Sequence, residues 1–130
     1  MKSLTFLLLV VVAMLLTDGS KDTTNTTDKV VKITWSKQDS LAYARDKLSE
    51  WRDKQVSCLS KLWGKESAWN PDAFNSIKVM GKNAGGIPQL LGLDPATPAP
   101  RQIERGLDYI YYRYGTPCHA WTHWKKNGNY

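Results

Sequence analysis

The chain has 130 residues, 42% of them hydrophobic, and carries 18 Lys and Arg against 12 Asp and Glu, a net charge of +6 at pH 7. That length gives room for one domain able to bury a real core, and none for a second. The basic balance points to an anionic partner, such as a bacterial wall, a membrane surface or nucleic acid, unless the charge serves only solubility.

The first element is a leader. Met1-Lys2-Ser3 precedes an almost unbroken apolar run, Leu4 to Leu16, and then Thr17-Asp18-Gly19-Ser20. The run has the length of a signal-peptide h-region and falls short of the roughly 20 residues that span a bilayer. Residues 1–19 are therefore expected to direct export as a signal peptide, with an uncleaved anchor as the alternative. Residues 20–35, rich in Thr, Asp, Asn and Lys, are expected to form a flexible spacer. Loss of residues 1–19 removes Lys2 and Asp18 together and leaves the net charge at +6.

The folded domain is expected over residues 36–130. Ser36 or Asp39 caps a first predicted helix running to about Arg52, with Leu41, Ala44, Leu48 and Trp51 on one face. A second helix covers Cys58 to Asn70, CLSKLWGKESAWN. At helical spacing Leu59, Leu62, Trp63, Glu66 and Trp69 fall on one side, so Glu66 stands inside an apolar stripe. Lys61 and Lys65 mark a charged face, and a solvated surface glutamate is the plain alternative. Pro71 disfavours helical geometry at Asn70, which puts Glu66 in the last turn, at the negative end of the helix dipole. Burial and dipole both raise its pKa, the condition a general acid needs near neutral pH.

From Asn70 to Pro100 the chain carries Pro71, Gly81, Gly85, Gly86, Pro88, Gly92, Pro95, Pro98 and Pro100 and is expected to be long and irregular, with no convincing strand pairs. A third helix begins near Arg101, with Ile103, Leu107, Ile110, Tyr111 and Tyr114 at helical spacing; Gly115 stops it and Pro117 follows. The fold class is accordingly mainly α, with a cleft built from loops. Cys58 and Cys118, a widely spaced pair in an exported domain, are expected to form a disulfide. His119 and His123 have i,i+4 spacing but no third ligand nearby, so no metal is expected.

Taken in order, Glu66, Ser67, Asn70-Pro71, Ala73, Asn75, Gly86-Ile87-Pro88-Gln89, Gly106-Leu107 and Tyr109-Ile110 make residues 36–130 resemble the soluble lytic transglycosylase family. The small secreted and phage-borne members of actinobacterial systems are most similar, through Cys58-Leu59-Ser60-Lys61-Leu62-Trp63-Gly64-Lys65-Glu66-Ser67 and Tyr114-Gly115-Thr116-Pro117-Cys118. The resemblance implies a lysozyme-like α domain that cuts the β-1,4 link between N-acetylmuramic acid and N-acetylglucosamine in peptidoglycan. It implies Glu66 as the single acid and base, no cofactor, glycan strands as partner, action as a secreted monomer at the wall, and membrane contact only through an uncleaved leader.

By the same resemblance Ser67 orients Glu66 or contacts substrate, with a bond back into its own helix as the structural alternative. Gln89 lines the cleft beside the acid, at the end of the Gly86-Ile87-Pro88-Gln89 turn; Gly86 and Ile87 are expected at the substrate, and Gly85 and Gly86 either let backbone approach the sugar closely or only make the turn. Asn70 and Asn75 are expected to pin the loop, with substrate contact as the alternative. Tyr111 and Tyr112 are adjacent, so at most one of them can face the core, and the other, Tyr111, is expected to help line the cleft. Many members carry Ala-Tyr-Asn-Ala-Gly near the C-terminus, where this chain has Ala120-Trp121-Thr122-His123-Trp124; Trp121 takes the aromatic place and stacks on a sugar, and His123 and Trp124 have no match. Asp72, Asp94, Glu104 and Asp108 are candidates for a second carboxylate, none supported by a motif. A hydrolytic muramidase and a non-catalytic wall-binding protein are the alternatives. A nucleic-acid binder is disfavoured, because Lys and Arg are spread along the chain rather than gathered in a recognisable motif.

Overall fold

The computed structural model describes residues 34–49 and 52–130. The leader, nearly all of the spacer, and Trp51 lie outside the described residues. The domain is mostly helical: α1 (Lys37–Lys47), α2 (Asp53–Ser67), α3 (Ala99–Tyr114) and α4 (Pro117–Asn127) accompany three short strands, β1 (Phe74–Val79), β2 (Lys82–Gly85) and β3 (Leu90–Leu91).

Ser36, not Asp39, caps α1. The Ser36 hydroxyl accepts from the Asp39 N–H at 3.1 Å while the Asp39 carboxylate accepts from the Ser36 N–H at 3.0 Å, a reciprocal capping box. The helix stops at its Leu48 cap, a turn short of the expected Arg52, and Ala44 and Leu48 are buried.

Helix α2 buries Val56, Leu59, Leu62 and Trp63 and leaves Lys61 and Lys65 exposed, as its pattern requires. It ends through two successive left-handed residues, Ala68 at φ 51° and Trp69 at φ 61°, which fold Trp69 back beneath the helix. There the Trp69 indole N–H donates to the Ser60 carbonyl at 3.1 Å and the ring meets Trp63 edge-on at 5.2 Å. Such a reversal is sterically disfavoured for residues bearing a Cβ, and the burial of a whole tryptophan offsets it.

The segment expected to be irregular instead contains an antiparallel sheet of order β1-β2-β3. A two-residue turn, Met80-Gly81, joins β1 to β2 with φ of 52° and 76°. The register slips between Phe74 and Lys78, where the Asn75 side chain accepts from the Ile77 N–H at 2.9 Å and Asn83 Nδ2 donates to the Asn75 carbonyl at 2.9 Å. Every residue of β1 is exposed, so no alternating apolar pattern marks the strand in the sequence.

Gln102 of α3 fixes the segment around the sheet to the helical core. Its side chain is completely buried; Oε1 accepts from the Ile87 N–H at 2.8 Å, and Nε2 donates to the carbonyls of Pro71, Pro95 and Thr97 at 2.8 to 3.2 Å. Ile103 and Ile110 of the same helix are fully buried. Gly106 lies against Trp63, where a Cβ would stand 2.5 Å from the ring.

Helix α4 continues the chain where a stop alone was expected. Thr116 caps it by accepting from the His119 N–H at 3.2 Å, and Pro117 occupies the first turn, where its missing N–H costs nothing. The Cys58–Cys118 disulfide joins α2 to α4 with Cα atoms 5.0 Å apart, and Gln55 accepts from the Cys118 N–H at 2.9 Å beside it.

Candidate functional site

Glu66 stands one residue before the end of α2, half-buried. Burial pushes its carboxyl above the ordinary glutamate value, and a hydrogen bond from Trp124 pulls in the opposite direction. That bond runs from the Trp124 indole N–H to Glu66 Oε1 at 2.7 Å. The indole nitrogen donates and cannot accept, so Oε1 is held as an acceptor and a transferable proton belongs on Oε2.

Trp124 is itself braced. Its ring stacks on Trp121, one helical turn earlier on α4, at 5.4 Å between centroids and 15° between planes. The Lys125 ammonium lies 5.8 Å from the Trp121 ring centroid. Tyr130 packs against the Tyr109 and Tyr114 rings. Its hydroxyl accepts from the Trp63 indole at 2.9 Å and donates to the Pro88 carbonyl at 2.6 Å, and enclosure, together with the charge of Glu66, raises its pKa well above the usual tyrosine value. Its proton is committed to Pro88, so Tyr130 ties the C-terminus to Trp63 of α2 and to the turn at residues 86–89.

The other expected site residues divide. Ser67 does not bond to Glu66: its hydroxyl donates to the Ile87 carbonyl at 2.6 Å and reaches the Trp63 carbonyl at 3.4 Å, tying the end of α2 to the turn at residues 86–89. Ile87 is fully buried with both backbone polar groups engaged, so its place is in the core. Gly86 is also buried, at φ 72°, and a side chain there would run into Gln102; it is glycine for that reason. Gln89 keeps a left-handed backbone (φ 51°) and donates from Nε2 to the carbonyls of Gly86 at 3.0 Å and Ala73 at 3.3 Å, which leaves Oε1 without a protein donor among the described residues. Trp121 reaches the site through its stack on Trp124. Tyr111 is exposed and lines a depression of about 270 Å³ between α1 and α3, beside Lys47, Leu48, Glu104, Leu107 and Asp108, with no bond to the Glu66 cluster. Asn70 pins its loop by accepting from the Asp72 N–H at 2.9 Å.

The carboxylates considered as a second catalytic group lie in other settings. Glu104 accepts from Tyr43 at 2.6 Å and from Arg101 at 2.8 Å, with Lys47 at 3.6 Å, and these partners hold its carboxyl below the usual range. Asp72, Asp94 and Asp108 are exposed, and none shares a bonding partner with Glu66. Among the described residues no group of three His, Cys, Asp or Glu side chains is placed to hold a metal. His119 approaches the Tyr114 carbonyl at 3.2 Å and His123 packs on the Tyr114 ring.

Trp124, Tyr130 and Gln102 are the residues that sequence patterns did not single out. One signal pointed to Trp124. Once Cys58 and Cys118 are joined, Glu66 lies eight residues along α2 and Trp124 six along α4, about 12 and 9 Å of helix rise, so two helices running the same way bring them level. Comparison with protein-family models, with curated proteins and with solved structures gives no match to this chain.

Proposed function

We propose that the protein is a peptidoglycan lytic transglycosylase of lysozyme-like fold, exported to the wall, with Glu66 as its general acid and base. One observation carries the proposal: a half-buried carboxyl group whose pKa is raised by burial, fixed through one oxygen by the Trp124 indole N–H. The ordered motif set around it supports the substrate class by resemblance.

In the first half-reaction Glu66 Oε2 gives its proton to the glycosidic oxygen. The bond from C1 of the muramic sugar to that oxygen breaks, and its electron pair leaves with the N-acetylglucosamine. The charge developing at C1 is met by the carbonyl oxygen of the substrate's own N-acetyl group. In the second half-reaction the Glu66 carboxylate takes the proton from the C6 hydroxyl, whose oxygen attacks C1 and closes a 1,6-anhydro ring. No water is consumed, and Glu66 ends as it began.

The Trp124 bond serves both steps, because it strengthens as negative charge appears on Glu66 and weakens when the proton returns. A single carboxyl group suffices for this chemistry, because losing its proton in the first step prepares it for the second, whereas a two-carboxylate glycosidase needs a second group about 5 to 9.5 Å from the first. Mass spectrometry of digested peptidoglycan tests the reading. Anhydro-muramic ends are expected, whereas reducing muramic ends would make the protein a hydrolase and intact glycan a binder.

A further inference from the structure

The β1-β2 hairpin exposes apolar side chains that take no part in the core. Met80 is 91% exposed, Ile77 70%, Phe74 59% and Val79 51%. Single exposed apolar residues are ordinary, but four on one short hairpin are not. The turn residue makes the point sharper. Both turn positions require positive φ, a geometry suited to Asn, Asp or Gly, and Met80 adopts it at φ 52° with its side chain in solvent. Local stability therefore gives no reason for methionine at this position.

The hairpin is also held firmly in place. The Gly86 N–H donates to the Ala73 carbonyl at 2.8 Å at its base, and the Asn75 and Asn83 side chains brace the register slip. Its charges are of one sign. Lys78 and Lys82 are exposed on either side of the turn, and the sequence contains no Asp or Glu between Asp72 and Asp94.

We infer that the tip of this hairpin, Ile77 to Lys82, is a contact site for an anionic lipid surface, with Ile77, Val79 and Met80 entering the headgroup boundary and Lys78 and Lys82 meeting lipid phosphates. The chemistry selects this occupant. Aliphatic side chains provide neither the flat ring nor the hydrogen bonds by which glycans are held, and pairing with a second copy would bring lysines against lysines. An exposed apolar tip flanked by two lysines fits a fluid anionic interface. The inference is independent of the reaction proposed for Glu66.

Oxidation footprinting of the full chain at Met80 tests it, since Met1 and Met14 are the only other methionines and report on the leader. The chain is treated with dilute peroxide alone, with vesicles of equal parts phosphatidylglycerol and phosphatidylcholine, or with phosphatidylcholine vesicles. Sulfoxide at each methionine is then measured by mass spectrometry. Anionic vesicles are expected to slow Met80 oxidation several-fold, neutral vesicles to leave it unchanged, and Lys78→Glu with Lys82→Glu to abolish the protection. Protection of Met14 without Met80 would mean attachment through the leader alone and would overturn the inference. So would an unchanged Met80 rate, or protection by isolated wall glycan or by higher protein concentration without lipid.

Discussion

Replacing Trp124 with phenylalanine removes one N–H from the Glu66 carboxylate and keeps an aromatic ring against Trp121. The bond lost is 2.7 Å long and made to an ionisable group. Hydrogen bonds to charged groups contribute about 1.5 to 3 kcal/mol, and at about 1.4 kcal/mol per tenfold in rate the full loss in the transition state would lower kcat about 10- to 100-fold. Glu66 is only half-buried, so the lower end of that range is expected. The direction of the pH effect follows from the two opposing influences on Glu66. Burial raises its pKa and the Trp124 N–H lowers it, so removing the N–H raises it further and moves the pH–activity profile to higher pH. Clearing of a peptidoglycan suspension, followed from about pH 4 to 9, would show both effects. Unchanged kcat with an unmoved profile, or a shift toward acid, would refute the role given to Trp124.

The remaining predictions concern stability. Because burial raises the folded pKa of Glu66 above its unfolded value, the native state binds the proton more tightly, and stability falls as pH rises through the raised pKa. Glu66→Gln keeps an oxygen for Trp124 and removes that penalty, so by differential scanning calorimetry its Tm should exceed that of the wild type near about pH 7, with the difference closing below the ordinary carboxylate range. Gly106→Ala gains about 1 kcal/mol of helix propensity but puts a Cβ 2.5 Å from the Trp63 ring and 2.7 Å from Pro88 Cβ, an overpacking of about 1 to 3 kcal/mol; a lower Tm is expected, and a higher one would contradict the packing. Reducing Cys58–Cys118, which closes a separation of 60 residues, should destabilise the domain by about 4 kcal/mol, read as a Tm drop of about 15 to 30 °C in the presence of reductant.

What could be read from the sequence was whatever a regular pattern encodes. The stripe of Leu59, Leu62, Trp63 and Glu66 gave α2 and the half-buried acid, and the spacing of Ile103 and Ile110 gave α3. The sheet left no such trace, since β1 is exposed on both faces, shifts register midway, and pairs with a strand of four residues. Pro117 reads as a terminator after Gly115, yet a proline suits the first turn of a helix equally well, and the choice between them was settled by tertiary contact with α2. The roles of Ser67 and Gly86 depended on Ile87 and Gln102, 20 and 16 residues away, which no local pattern connects. Trp124 was one aromatic among six tryptophans until the disulfide set the alignment of α4 against α2.

The central claim is that one carboxyl group, Glu66, both cleaves the glycan and closes the anhydro ring. Its most direct test is mass spectrometry of purified peptidoglycan digested in parallel by the wild type and by Glu66→Gln. The wild type should release 1,6-anhydro-muramic ends without uptake of solvent oxygen-18, and the folded variant should release none. Fragments from the variant in wild-type yield, or reducing ends labelled by oxygen-18 water, would contradict it.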